Sequence, residues 1–113
     1  MIHYATKVAY ESRFKRARVG AVILRGSRII SSGCNRIGYT SLLRNRNYPE
    51  SVHAEQAAII KLLRRNSRSL IGSTMYVSRI SSSGHVRLAK PCEVCMKIIE
   101  SVGIRKVIYT TNE

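Results

Sequence analysis

The sequence predicts a single α/β domain spanning residues 1–113, with helices flanking a mixed sheet. Three observations predict it. Hydrophobic periodicity switches along the chain in the order α-β-β-α-β-α-β. The second half alternates strand and helix, which makes the later strands parallel, because parallel neighbours need a crossover. The length suits one domain, and no repeat or low-complexity linker divides it.

The elements follow in order. Residues 3–14 place Ala5, Val8, Ala9 and Ser12 at spacings of three and four, which predicts a first helix. The apolar run Val19–Leu24, the turn signal Arg25-Gly26-Ser27 and the segment Arg28–Gly33 predict a β-hairpin. Residues 35–52 hold Gly38, Asn45, Asn47, Pro49 and Ser51 with little periodicity and predict a long loop. Helical spacing returns from His53 to Arg65, with Ala54, Ala57, Ala58 and Leu62 or Ile59 on one face. Thr74–Ile80 is β-rich, and Ser81–Gly84 is a break. Pro91 opens a third helix, Cys92 to about Val102, stopped by Gly103, and Arg105–Thr110 is the last strand.

Composition narrows the function. Apolar residues make up 44%, which excludes a disordered or collagen-like chain. No apolar run approaches the ~18–20 residues of a membrane span, and the N-terminus lacks a basic-then-apolar leader. With three cysteines, an odd number, the expectation is a reducing, intracellular (cytoplasmic) setting with no membrane partner. Charge is the anomaly: 20 Lys+Arg stand against 6 acidic residues, all Glu, for a net +14. Fourteen of the cations are Arg, whose planar fork suits phosphate, so a phosphorylated or polymeric nucleic-acid partner is expected.

His53-Ala54-Glu55 opens the second predicted helix and Pro91-Cys92-Glu93-Val94-Cys95 the third. Cys92 and Cys95 are three apart, so both sulfurs face one side. Two thiolates and the His53 imidazole fill three corners of a tetrahedral zinc site and leave the fourth for water, the pattern of a catalytic rather than a structural ion. Helix N-termini favour the thiolate form that metal requires. Glu55, two residues after His53 at a half-helical start, shares the cavity and serves as general acid–base. Separately, each motif is weak; together they match a zinc nucleobase-deaminase signature.

On these motifs the sequence resembles the cytidine/deoxycytidylate deaminase superfamily, in the branch with tRNA adenosine deaminases and polynucleotide cytosine deaminases. The likeness runs through Val19–Ile23, Ile29–Asn35, His53-Ala54-Glu55, Met75-Tyr76-Val77, Pro91–Cys95 and Gly103–Tyr109. It implies a three-layer α-β-α fold, here a minimal four-stranded mixed sheet with three helices. It implies Zn2+ on His53, Cys92 and Cys95, Glu55 as proton shuttle, Asn35 as a substrate contact, and backbone groups of Ala54 and Cys92 around the base. The implied reaction adds water to the amine-bearing ring carbon and expels ammonia, turning cytosine into uracil or adenine into hypoxanthine. Members usually continue beyond the fourth strand, whereas this sequence ends at Glu113; the edge left there predicts a homo-oligomer.

Further substrate contacts are read from the loop. Tyr39 and Tyr48 lie among Arg36, Arg44 and Arg46, where aromatics stack a base and cations hold its phosphates; the competing reading is a solvated loop with packed Tyr. Lys90 precedes a zinc ligand and is read as a phosphate contact or a solvent-facing cation. Cys34 reads as a small buried strand residue. Arg64, Arg65 and Arg68 read as C-terminal dipole partners or a polynucleotide track. The expected substrate is a cytosine nucleotide such as dCMP or CMP. The alternatives are cytosine or adenine in single-stranded DNA or RNA, and a zinc-stabilised nucleic-acid-binding module without catalysis. The intact Glu55 speaks against the last, since a structural zinc site has no use for it.

Overall fold

A central strand, β1 (Ala17–Arg25), organises the layers of this computed structural model, which describes residues 1–14, 16–38 and 50–113. Gly20 to Leu24 are all buried, as expected of a strand covered on both faces. Val22 and Leu24 pack against Ala5 and Val8 of α1 (Ile2–Ala9). Ala21 and Ile23 face the opposite way and join Ala54, Ala58, Ile59 and Leu62 of α2 (Ala54–Arg65) and Ile99 of α3 (Glu93–Ser101). This period-two split puts α1 on one face and α2 and α3 on the other, the expected three layers.

β1 pairs antiparallel with β2 (Arg28–Cys34) through the predicted hairpin, with Gly26 at φ +64° in the turn. Its other edge pairs antiparallel with β5 (Thr74–Ser81). β5 in turn pairs in parallel with β7 (Lys106–Tyr109), so the expected parallel crossover through α3 is present. No strand pairs with the outer edge of β7 among the described residues.

The structure corrects three expectations. The first helix ends at Ala9 rather than residue 14, because the Ser12 hydroxyl takes over local hydrogen bonding: it donates to the Asn35 carbonyl at 3.0 Å and accepts the Phe14 N–H at 3.2 Å. The segment 35–52 is not all loop: β3 (Arg36–Gly38) and β4 (Glu50–Val52) form a two-stranded antiparallel ribbon. The main sheet has five strands, not four. The Ser81–Gly84 break is a hairpin turn, with Gly84 at φ +83° and Ser81 N–H bonded to His85 O at 2.9 Å, and it leads into β6 (Val86–Arg87) on the edge of β5. A short 3-10 turn, Ser67–Leu70, follows α2.

Two strand glycines set the layer spacing. A Cβ at Gly20 would press into the backbone of α1 at Ala5 and Ala9. A Cβ at Gly33 would meet the Ala58 nitrogen at 2.7 Å and the Ala57 Cβ at 2.9 Å. Both helices therefore lie on the sheet at a distance only glycine permits. Gly20→Ala and Gly33→Ala are each expected to cost about 1–3 kcal/mol of stability, typical of an overpacked interior. Ser27→Ala, in the exposed hairpin turn, should stay within about 0.5 kcal/mol. Denaturant midpoints at unchanged slope read the difference; wild-type midpoints for both glycine variants would refute the close-approach argument.

Candidate metal centre

Two helix starts meet beneath one cleft. Val52, 1% exposed, anchors the end of β4, and the next residue, His53, is the extended N-cap of α2 at φ −66° and ψ 152°. Buried Pro91 precedes Cys92, the extended N-cap of α3 at φ −66° and ψ 168°. The sulfur of Cys92 does what a Ser or Asp oxygen does at ordinary caps, accepting the Cys95 N–H at 3.5 Å. Cys95 lies one turn in and is fully buried.

These three side chains converge. His53 Nδ1 lies 3.1 Å from Cys95 Sγ and 3.7 Å from Cys92 Sγ, and all three ligand atoms fall within 4.8 Å of one another. On a tetrahedral zinc, with Zn–N near 2.0 Å and Zn–S near 2.3 Å, neighbouring nitrogen and sulfur donors sit about 3.5 Å apart. The donor set thus fits the ion in both chemistry and spacing. Among the described residues no fourth His, Cys, Asp or Glu joins the group, which leaves a coordination position for water or substrate.

Burial pushes the Cys95 thiol up, reinforced by Glu55 and Cys92 and opposed by a hydrogen bond from Gln56. A bound dication reverses that preference, since a coordinating thiol is deprotonated outright. Glu55 is 5% exposed, and burial holds its carboxyl above the ordinary carboxylate range, against its backbone hydrogen bond and His53, which pull it down. A carboxyl group so placed holds a proton more readily than one in water.

The cleft above the centre has a volume of about 300 Å³, and Asn35, His53, Ala54, Glu55, Lys90 and Cys92 all line it. The expected contacts Asn35, Ala54 and Lys90 therefore share one cavity with His53, Cys92 and Glu55. Asn35 has a structural task as well: its Oδ1 accepts the Val19 N–H at 2.9 Å and its Nδ2 donates to Ala17 O at 2.8 Å. One lone pair and one N–H remain for a ligand. Tyr39, Tyr48, Arg44 and Arg46 lie outside the described residues.

Sequence reasoning missed three residues here. Arg79 and Leu88 line the cleft, and Gln56 lies beneath it, 1% exposed, with its Nε2 3.6 Å from Cys95 Sγ. The signal for Arg79 was its phase: Met75 and Val77 are buried residues of the same strand face, and a cation two positions on points the same way. The signal for Gln56 was a polar residue directly after Glu55 in an otherwise apolar helix face. Leu88 carried no signal.

Comparison with known proteins agrees with this geometry. Residues 1–111 match the family described as the cytidine and deoxycytidylate deaminase zinc-binding region. The deoxycytidylate deaminase of Mycobacterium phage D29 is 27% identical over 93% of this chain and 87% of its own. The dCMP deaminase of cyanophage S-TIM5, in its apo form, superposes with a TM-score of 0.72 at 27% identity, over 97% of this chain and 79% of that one. The same cyanophage enzyme in complex with dCMP and dUMP gives 0.70 at 26% identity, over 96% and 76%.

The three-ligand arrangement predicts about one zinc per chain. Cys92→Ser and Cys95→Ser should each lose stoichiometric zinc by metal analysis and melt at lower temperature, since metal binding is coupled to folding in small domains. Full zinc retention in both variants would refute the assignment.

Proposed function

The chain belongs to the cytidine and deoxycytidylate deaminase family, and from that premise we propose that it hydrolyses the cytosine amine of a (deoxy)cytidine nucleotide such as dCMP, giving uracil and ammonia. The observation that carries this reading is the buried Glu55 in the same cleft as His53 and Cys92. The cyanophage enzyme's complex with dCMP and dUMP supports the choice of nucleotide.

When bound, the zinc supplies a Lewis acid that brings the pKa of a water toward neutrality. Glu55 takes a proton from the water that adds to C4 of the base and gives one to ring N3. It then takes the proton of the new C4 hydroxyl and carries it to the departing amine, so that the C4–N4 bond breaks, ammonia leaves and the C4 carbonyl forms. The raised proton affinity of its carboxyl suits both accepting and returning that proton. Ala54 is fully buried in the first turn of α2, where N–H groups have no intrahelical acceptor and can hold a base oxygen. Arg79 and Lys90 put two cations on the cleft wall, a match for the dianionic 5′-phosphate.

A second reading has one specific observation behind it. A net charge of +14 exceeds what one phosphate group requires and favours single-stranded DNA or RNA.

Glu55→Ala is expected to keep zinc and fold and to lose turnover by about 10²–10⁴-fold, the usual contribution of a positioned acid–base group. Near-normal turnover in the zinc-loaded variant would exclude the proton-shuttle role.

Arg79→Ala and Lys90→Ala separate the substrates. For dCMP each should lower kcat/KM by roughly 10–100-fold, the equivalent of a ~1.5–3 kcal/mol hydrogen bond to a charged group. Cytidine, which lacks the phosphate, should respond little. If instead dCMP is inert and an oligonucleotide is deaminated, with affinity falling about −0.7 in log–log slope per contacted phosphate as salt rises, the polymer reading replaces the nucleotide one.

A further inference from the structure

We propose that Gln56 is the positioning residue of the metal centre, one side-chain amide that ties the start of α2 to the sulfur contributed by α3. Gln56 is 1% exposed, and its helix neighbours Ala57, Ala58 and Ile59 are buried apolar residues. A primary amide in such a place is costly if its polar groups are left unpaired, so its partners define its role. Its Oε1 lies 3.4 Å from the His53 backbone nitrogen and its Nε2 lies 3.6 Å from Cys95 Sγ.

The orientation of the amide follows from its partners. The His53 N–H can only donate, so it takes the carbonyl end of Gln56, and the NH₂ end is left for sulfur. Cys95 is fully buried, so no bulk water competes for that contact. With the sulfur ionised as a zinc ligand, the contact becomes a charge-assisted N–H···S bond. Gln56 does not line the cleft, so it acts on the reaction only through the ligands it holds. It fixes the backbone of one ligand and the thiolate of another, and the two ligands sit 3.1 Å apart because both are held from the same side chain's two ends.

The inference rests on His53, Cys92 and Cys95 being the zinc site, and the experiment keeps the two apart. Zinc affinity is measured by chelator competition on the wild type, Gln56→Leu and Gln56→Glu. Cobalt-substituted forms are compared by their thiolate-to-metal charge-transfer band per bound ion. Gln56→Leu removes both hydrogen bonds and should weaken zinc by roughly 10–100-fold. Gln56→Glu preserves shape and the bond to His53 but sets a carboxylate against the thiolate, so it should weaken zinc as well and shift the cobalt band. A packing role alone would lower stability without moving the band.

Wild-type affinity and an unmoved band in Gln56→Glu would overturn the proposal while leaving the zinc site standing; this isosteric variant decides the matter if Gln56→Leu does not fold. Failure of the wild type to bind stoichiometric zinc would overturn the site itself and the proposal with it.

Discussion

The constraint on which the structure turns is that two helix N-termini, distant in sequence, must open within hydrogen-bonding distance of each other. His53 and Cys95 are 42 residues apart, yet their ligand atoms are separated by 3.1 Å. A shift of one ångström in either helix would break that geometry. The fold meets the demand by pinning α2 from below. Gly33 lets the helix sit directly on β2, and the Ser31 hydroxyl donates to the Ala58 carbonyl at 2.8 Å inside the buried layer. The parallel pairing of β5 and β7 fixes where the chain enters and leaves α3. The sheet acts as a template that holds two helix starts in register.

What the sequence made legible follows the range of the physics involved. The hairpin, α2, α3 and the β5–β7 crossover were readable because each is encoded by local periodicity and punctuation. The convergence of His53, Cys92 and Cys95 was readable because these residues are chemically rare and sit at predicted helix starts. The end of α1 was not readable: Ala5, Val8 and Ser12 continue the helical spacing, and only the contact of Ser12 with Asn35, 23 residues on, reveals why the helix stops. β6 is two residues long and exists only because β5 offers it an edge. Arg79 and Gln56 escaped for a related reason, since neither belongs to a motif and each acquires meaning from a partner on another element.

The charge excess divides into parts with different physical tasks. Arg25 is structural: its Nη1 donates to the carbonyls of Ser69 at 3.2 Å and Ile71 at 2.8 Å, closing the turn after α2. Lys97 and Glu93 form an exposed helical pair at 3.5 Å, the one ion pair recorded among the described residues and worth only about 0.3–0.5 kcal/mol. With six acidic residues against twenty basic ones, most cations have no counter-charge to meet inside the molecule. A net charge of this size attracts anionic ligands at long range, before any specific contact forms.

The wall of the cleft is not free-standing. Leu88, Ala89 and Lys90 follow the short strand β6, and that segment is bonded to the final residues: Ala89 N–H to Thr110 O at 2.9 Å, Leu88 N–H to Asn112 Oδ1 at 2.8 Å, and Val86 N–H to Glu113 Oε1 at 2.9 Å. In the language of local unfolding, these bonds make residues 86–90 and 110–113 one unit that is expected to open, and to exchange its amide hydrogens, together. Order in the tail is thus order in the pocket: loosening Asn112 or Glu113 is expected to release the strip of backbone that presents Lys90.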